Sequence, residues 1–250
     1  MTAAVILLAI IGFAYLAAHQ STPTAPAQTS DKVIAEVTTP SATVASAVGS
    51  GGLANPLKPA AGLPPLQDAA GRPQVLYIGA EYCPFCAAER WSIVYALARF
   101  GSFRGLLLSS SSSSDAYPNT PTLSFRTSTY QSSLVGFAPV EVADRQGNAL
   151  ETISSSQQAL LKKLDPLGSI PFLDIGNRYY QVGAGFTPDV LSGLSWDQIG
   201  AQLSDPSSSV TKAIVGNAGY LTAAICRLTA NQPAATCGDP AIARIAASLG

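Results

Sequence analysis

Val75-Leu76-Tyr77-Ile78-Gly79-Ala80-Glu81-Tyr82-Cys83-Pro84-Phe85-Cys86 is the stretch that decides how this chain folds. Gln74 to Gly79 reads as a strand buried on both faces, because its apolar residues run on without alternation. From Cys83 to Phe100 the pattern changes. Trp91, Val94, Tyr95, Leu97 and Ala98 recur at helical spacing, and Gly101 follows as a stop signal. A strand therefore hands the chain to a helix whose first turn carries two cysteines two residues apart. That is the arrangement of a dithiol/disulfide centre.

Downstream, Phe103–Leu108 reads as a second strand and Ser109–Ser114 as a polar loop at the same edge of the sheet. An irregular aromatic stretch follows, with a short strand at Leu123–Phe125. Leu134–Ala143 is the next strand, Asp144–Asn148 a turn and Ser156–Leu164 a helix. Ser169–Ile175 is extended and carries a proline near its start. Gly176-Asn177 turns it, and Arg178–Val182 pairs back. Trp196–Leu203 and Ser209–Leu228 are helical, and Ala241–Leu249 forms a final helix. This order predicts an α/β thioredoxin-like sandwich over 68–250: a central mixed β-sheet flanked by helices, with extra C-terminal helices.

The composition narrows the functional classes. Apolar residues make up 47% of the 250, enough for a sizeable core, whereas charged residues make up only 12%, against roughly 25% in an average soluble domain. A formal charge of -1 gives no electrostatic basis for a nucleic-acid partner. There is no Walker motif, dinucleotide fingerprint or basic–aromatic stripe.

Ala3 to Ala18 is an apolar run broken only by Gly12 and softened by Tyr15. It lies at the short end of the roughly 17–25 residues of a spanning helix. The expectation is a transmembrane anchor over 1–19 in a single-pass cell-membrane protein, with the cysteine-bearing domain on the extracytoplasmic side. The competing reading is a cleaved signal peptide, with Ala25-Pro26-Ala27 as a small-x-small site and a secreted product. Residues 20–67 are rich in Pro, Ser, Ala and Gly and read as a linker. Within it, Asp31–Val37 has enough apolar character for an edge strand or short helix, and Leu53, Leu57, Leu63 and Leu66 are placed to pack against the domain.

Tyr77 to Cys86 resembles the active-site segment of the thioredoxin superfamily, with a glutaredoxin-like Pro-aromatic pair between the cysteines. Ile170-Pro171 resembles the cis-proline of that superfamily. The whole of 68–250, including Glu89-Arg90-Trp91, Gly168-Ser169-Ile170-Pro171-Phe172 and the Cys226/Cys237 region, is similar to the uncharacterised domain-of-unknown-function family 929. The resemblance implies a thioredoxin-like fold and dithiol chemistry, and it names no substrate.

Chemistry follows from position. A cysteine at a helix N-cap faces unpaired backbone N–H groups and the positive end of the helix dipole, both of which favour thiolate. Cys83 is thus the candidate nucleophile and Cys86, one turn deeper, the resolving thiol. Pro84 suits the first helical turn, and Phe85 offers an apolar surface that contacts a substrate or covers the site. A cis bond at Pro171 would turn the Ile170 backbone toward the dithiol for an incoming extended peptide; the plain alternative is a trans proline at a strand start. Glu89 and Glu81 are candidates for proton transfer to and from Cys86, against the plain reading of solvated carboxylates. Tyr82 reads as a packing or rim residue and Arg90 as an exposed helix charge. Cys226 and Cys237 read as a structural disulfide closing a short loop, with a second exchange-active pair or free or metal-bound thiols as the alternatives.

The function expected is a membrane-anchored thiol–disulfide oxidoreductase acting on protein thiols or disulfides outside the cytoplasm. It needs no soluble cofactor and no metal, it touches the membrane through 3–18, and it relies on an unknown recycling partner. The direction of electron flow is not set by the motif. Two other classes compete: a non-enzymatic, membrane-tethered thioredoxin-like binding or assembly module, and a zinc site that would need all four cysteines.

Overall fold

The computed structural model describes residues 27–249. Helices α1 (Ala27–Thr38) and α2 (Ala42–Val48) precede a short strand, β1 (Lys58–Pro59). The strand β2 (Gln74–Gly79) then feeds helix α3 (Pro84–Leu97). Strands β3 (Ser102–Arg104), β4 (Leu107–Ser110), β5 (Pro121–Ser124), β6 (Thr129–Gln131) and β7 (Gly136–Glu141) lead to helix α4 (Ser155–Leu164). Strands β8 (Phe172–Ile175) and β9 (Tyr179–Val182) precede α5 (Trp196–Gln202), α6 (Ser209–Leu228), α7 (Ala234–Cys237) and α8 (Pro240–Ala247).

Five strands form one mixed sheet in the order β1-β9-β8-β2-β7. The interior strand β2 runs parallel to the edge strand β7, with Gln74 opposite Gly136, and antiparallel to β8, with Leu76 opposite Asp174. Because side chains alternate along a strand, β2 serves two cores at once. Val75 and Tyr77 join Trp91, Val94 and the apolar residues of α6 in the larger cluster. Leu76 and Ile78 join Val140, Phe172 and Leu160 and Leu161 of α4 in the smaller one. Helices cover both faces, so the layout is thioredoxin-like: a mixed sheet flanked by helices.

Three expectations are corrected. First, among the described residues no helix is long and apolar enough to cross a membrane. The span read over 3–18 lies outside the described residues, so the transmembrane helix, the single-pass topology, the membrane contact and the extracytoplasmic or secreted placement are withdrawn. The 20-residue α6 owes its apolar character to burial against α3 and α8.

Second, much of the stretch read as a linker is packed. Val33 and Val37, one turn apart on α1, are fully buried and α1 lies against α5; Val44 and Ala45 hold α2 against α6 and α8. Spacing outweighs composition here, since two buried valines four residues apart suffice to seat a short helix. The chain after α2 crosses α6 so closely that a Cβ on Gly51 would stand 2.0 Å from the Lys212 carbonyl. Only glycine fits at that crossing.

Third, the single strand expected over Phe103–Leu108 is two. Gly105, at φ +72°, turns the chain between β3, which pairs with β6, and β4, which pairs with β5.

Candidate redox site

At the end of β2, the turn Ala80–Tyr82 delivers Cys83 to the N-cap of α3. Its Sγ accepts the Cys86 backbone N–H at 3.2 Å, and Pro84 occupies the first turn, where a missing N–H costs nothing. Both cysteines are free and buried, Cys83 with 6% and Cys86 with 0% of its surface exposed. Hydrogen bonding from the Cys86 thiol, aided by the backbone N–H groups of Cys86 and Phe85 and the Arg90 charge, outweighs burial and holds Cys83 below the usual thiol range. Burial and the neighbouring Cys83 push Cys86 well above it. The two thiols are thus driven apart: one toward thiolate, one toward the protonated form.

On the far side of the sulfur, the Ile170 carbonyl stands 3.9 Å from Cys83 Sγ, and the Ile170-Pro171 bond is cis. Phe85 is the exposed member of the motif, at 37%, and meets Tyr117 edge to face with 5.9 Å between ring centres. Ile170 and Pro171 therefore share the site with Cys83, and Phe85 forms part of its rim.

Beneath the dithiol the helix is far more polar than its sequence suggests. Arg90, expected as an exposed helix charge, and Glu89, for which a solvated carboxylate is the plain alternative to proton transfer, are both 0% exposed. Arg90 donates to both carboxylate oxygens of Glu141, each at 2.8 Å, and to the Ala80 carbonyl at 2.9 Å. Its guanidinium lies 5.8 Å from the centre of the Tyr77 ring. Burial acts to lower the Arg90 pKa, but Glu141 and Tyr77 prevail and hold it above its ordinary value. The Tyr77 hydroxyl lies over Gly79, where a Cβ would stand 2.1 Å away, and it is buried without a hydrogen-bond partner among the described residues.

Glu89 accepts from the Gly185 backbone N–H at 2.9 Å and from Asn217 Nδ2 at 2.9 and 3.0 Å. Burial nevertheless raises its carboxyl to about 7. Two buried acceptors, Asn217 Oδ1 and Gln181 Oε1, lack donors among the described residues. Glu81 is buried as well, but it accepts from the Ser124 hydroxyl at 2.5 Å and pairs with Arg126 at 3.8 Å.

Cys226 and Cys237 lie elsewhere, joined in a disulfide with 5.5 Å between their Cα atoms. That bond withdraws two of the thiolates that a zinc site built from all four cysteines would require. Sequence reasoning missed Glu141, Gln181, Gly185 and Asn217. Glu141 lies 51 residues from its partner Arg90 and Asn217 lies 128 from Glu89, and no local pattern links residues so far apart.

A protein-family model described as a domain of unknown function, DUF929, matches residues 66–167. The matched span holds Cys83, Cys86, Glu89, Arg90 and Glu141 and stops before Ile170. The resemblance read over the whole of 68–250 is thus narrowed to part of the chain. No curated protein and no solved structure matches. Likeness to thioredoxins rests on layout, and layout and cysteines are together consistent with a redox enzyme.

Proposed function

We propose that this chain is a thiol–disulfide oxidoreductase in which Cys83 attacks and Cys86 resolves. The observation that carries the proposal is the opposed tuning of the two sulfurs: Cys83 caps α3 and is held toward thiolate, while Cys86 is buried one turn below it as the thiol. Cys83 thiolate attacks one sulfur of a disulfide RS–SR, forming a Cys83–SR bond and expelling RS⁻, which takes a proton from water. Cys86 then gives up its proton and attacks Cys83 Sγ. A Cys83–Cys86 bond forms, the second RS⁻ leaves, and the dithiol has lost the two electrons that the substrate gained. Run backwards, the same steps oxidise a dithiol.

Ile170 and Pro171 form the wall against which the substrate's sulfur is positioned, and Phe85 and Pro84 shape the outer approach. Of the two carboxyls considered for proton transfer, Glu89 suits the role better. It lies one turn beyond Cys86 and titrates near 7, and its buried neighbours can accept a hydrogen bond when it is protonated. Glu81 is engaged by Ser124 and Arg126. The membrane-anchored, extracytoplasmic form of this activity and its restriction to protein substrates are not retained.

The test is a trap. Reduced Cys86→Ala protein treated with a small disulfide should accumulate one adduct at Cys83, seen by intact mass, whereas the unsubstituted chain should pass to a Cys83–Cys86 disulfide. Absence of any Cys83 adduct rejects the proposal.

A further inference from the structure

A shallow cavity of about 480 Å³ has Tyr82, Ser112, Asp115, Arg145, Gln146 and Gly147 on its walls. Tyr82 is the residue immediately before Cys83, and its carbonyl accepts the Ser112 N–H at 2.9 Å, so the serine loop is tied to the edge of the redox site. Arg145 is nine-tenths buried. It donates from Nε to the Ser111 carbonyl at 2.8 Å and from Nη2 to Asn119 Oδ1, which fixes the guanidinium, and the residue lines this cavity and the neighbouring one bordered by Glu81 and Arg126. Asp115 lines the same cavity, and its carboxylate accepts from the neighbouring Ala116 N–H at 2.6 Å. One anchored cation and one carboxylate therefore line a cavity bordered by the residue before Cys83, with no ion pair between them among the described residues. Tyr82 lines the cavity with them: burial raises its pKa, and Cys83, Cys86 and Asp115 all add to the effect.

We infer that this cavity binds the head group of a low-molecular-weight disulfide of the amino-acid class, its carboxylate on Arg145 and its ammonium on Asp115. The inference rests on the exchange reading above and specifies its substrate. A zwitterionic head group matches both charges, whereas a neutral disulfide meets neither and leaves the Arg145 guanidinium desolvated and unmatched. The Ser112 and Ser114 hydroxyls add neutral donors and acceptors on the same wall. Chemistry at sulfur is as already written, with two electrons passing from the Cys83/Cys86 dithiol to the bound disulfide and two aminothiols released.

The experiment uses the full reduced chain in single turnover against four probes. These are cystine, cystamine (ammonium alone), dithiodipropionate (carboxylate alone) and bis(2-hydroxyethyl) disulfide (neutral). Each rate is divided by that of the same disulfide with dithiothreitol, which removes intrinsic reactivity. Cystine should lead the neutral probe by about tenfold, the size expected of two partly screened charge contacts, with the singly charged probes between. Arg145→Gln should raise the half-saturating concentration of cystine and dithiodipropionate by about threefold to fivefold. It should leave cystamine and the neutral probe unchanged. Asp115→Asn, at an exposed position that does not threaten folding, should weaken cystine and cystamine alone. Four normalised rates within twofold of one another overturn the inference, as does equal slowing of all four probes by either variant. If no probe reacts with the unsubstituted chain, the exchange reading itself fails and takes the inference with it.

Discussion

The two cysteine pairs sit at opposite ends of two long helices, and their surroundings differ accordingly. Cys83 and Cys86 open α3, where free N–H groups and the positive end of the dipole meet the sulfur. One turn below on the same helix, the fully buried Arg90 pairs with Glu141 at the end of β7. Cys226 lies in the last turn of α6, where the dipole is negative, and both it and Cys237 belong to the large apolar cluster. There the sulfurs are joined to each other. Helix end and neighbouring charge thus separate the pairs: the first is tuned toward thiolate at Cys83, and the second closes a loop.

The sharpest way to break this contrast is to remove the charge under the first pair. Arg90→Met leaves Glu141 buried without its partner and should cost about 3–5 kcal/mol in a denaturant titration. Because the Arg90 charge favours thiolate at Cys83, the iodoacetamide alkylation profile of the variant should also move to higher pH. An unchanged profile would show that the Cys86 thiol and the helix terminus activate Cys83 without the Arg90 charge.

Opening the second pair should do something different. The double replacement Cys226→Ala with Cys237→Ala removes a loop closure over 11 positions, worth about 3 kcal/mol on the chain-entropy account. The rate of Cys83 adduct formation should stay within twofold. A large loss of exchange would join the two pairs functionally and end the contrast.

An effect of similar size, spread over a pH range, concerns Glu89. Folded, it holds its proton up to about pH 7; unfolded, it releases it near 4.5. The folded chain therefore binds more protons between those values, and stability falls as pH rises through that window, by on the order of 3 kcal/mol in total for this group. Glu89→Gln should remove this part of the slope in urea titrations at pH 4.5 and 7. Asp174, which burial also raises to about 7, keeps a comparable part in the variant. An unaltered slope would show that Glu89 is not the titrating group and would remove it as the proton carrier.

Much of the sheet and helix order is legible in the chain, because the signals are local. The unbroken apolar run at Val75–Ile78 and the helical stripe from Trp91 to Leu97 each lie within a few residues, and Gly176-Asn177 places the β8–β9 turn unaided. The packed helices at 27–48 are obscured because Ala, Ser, Thr and Pro are abundant there, and only contact with α5 and α6 gives Val33, Val37 and Val44 a surface to bury against. Glu89 and Arg90 look solvated in the sequence for a related reason: burial of a charge depends on partners that come from other strands and helices.

By itself, then, the sequence determined a strand followed by a helix that begins with Cys83-Pro84-Phe85-Cys86, since both elements are specified by side-chain periodicity and by what a helix terminus offers a sulfur. Tertiary structure alone decided what surrounds that motif. It set Ile170 across from Cys83, paired Arg90 with Glu141 beneath it, buried Glu89 among Asn217 and Gly185, and left Asp115 and Arg145 facing one cavity beside it. Contacts between residues far apart in the chain exist only once the sheet and helices are packed, and those contacts set the charge, the burial and therefore the chemistry of the site.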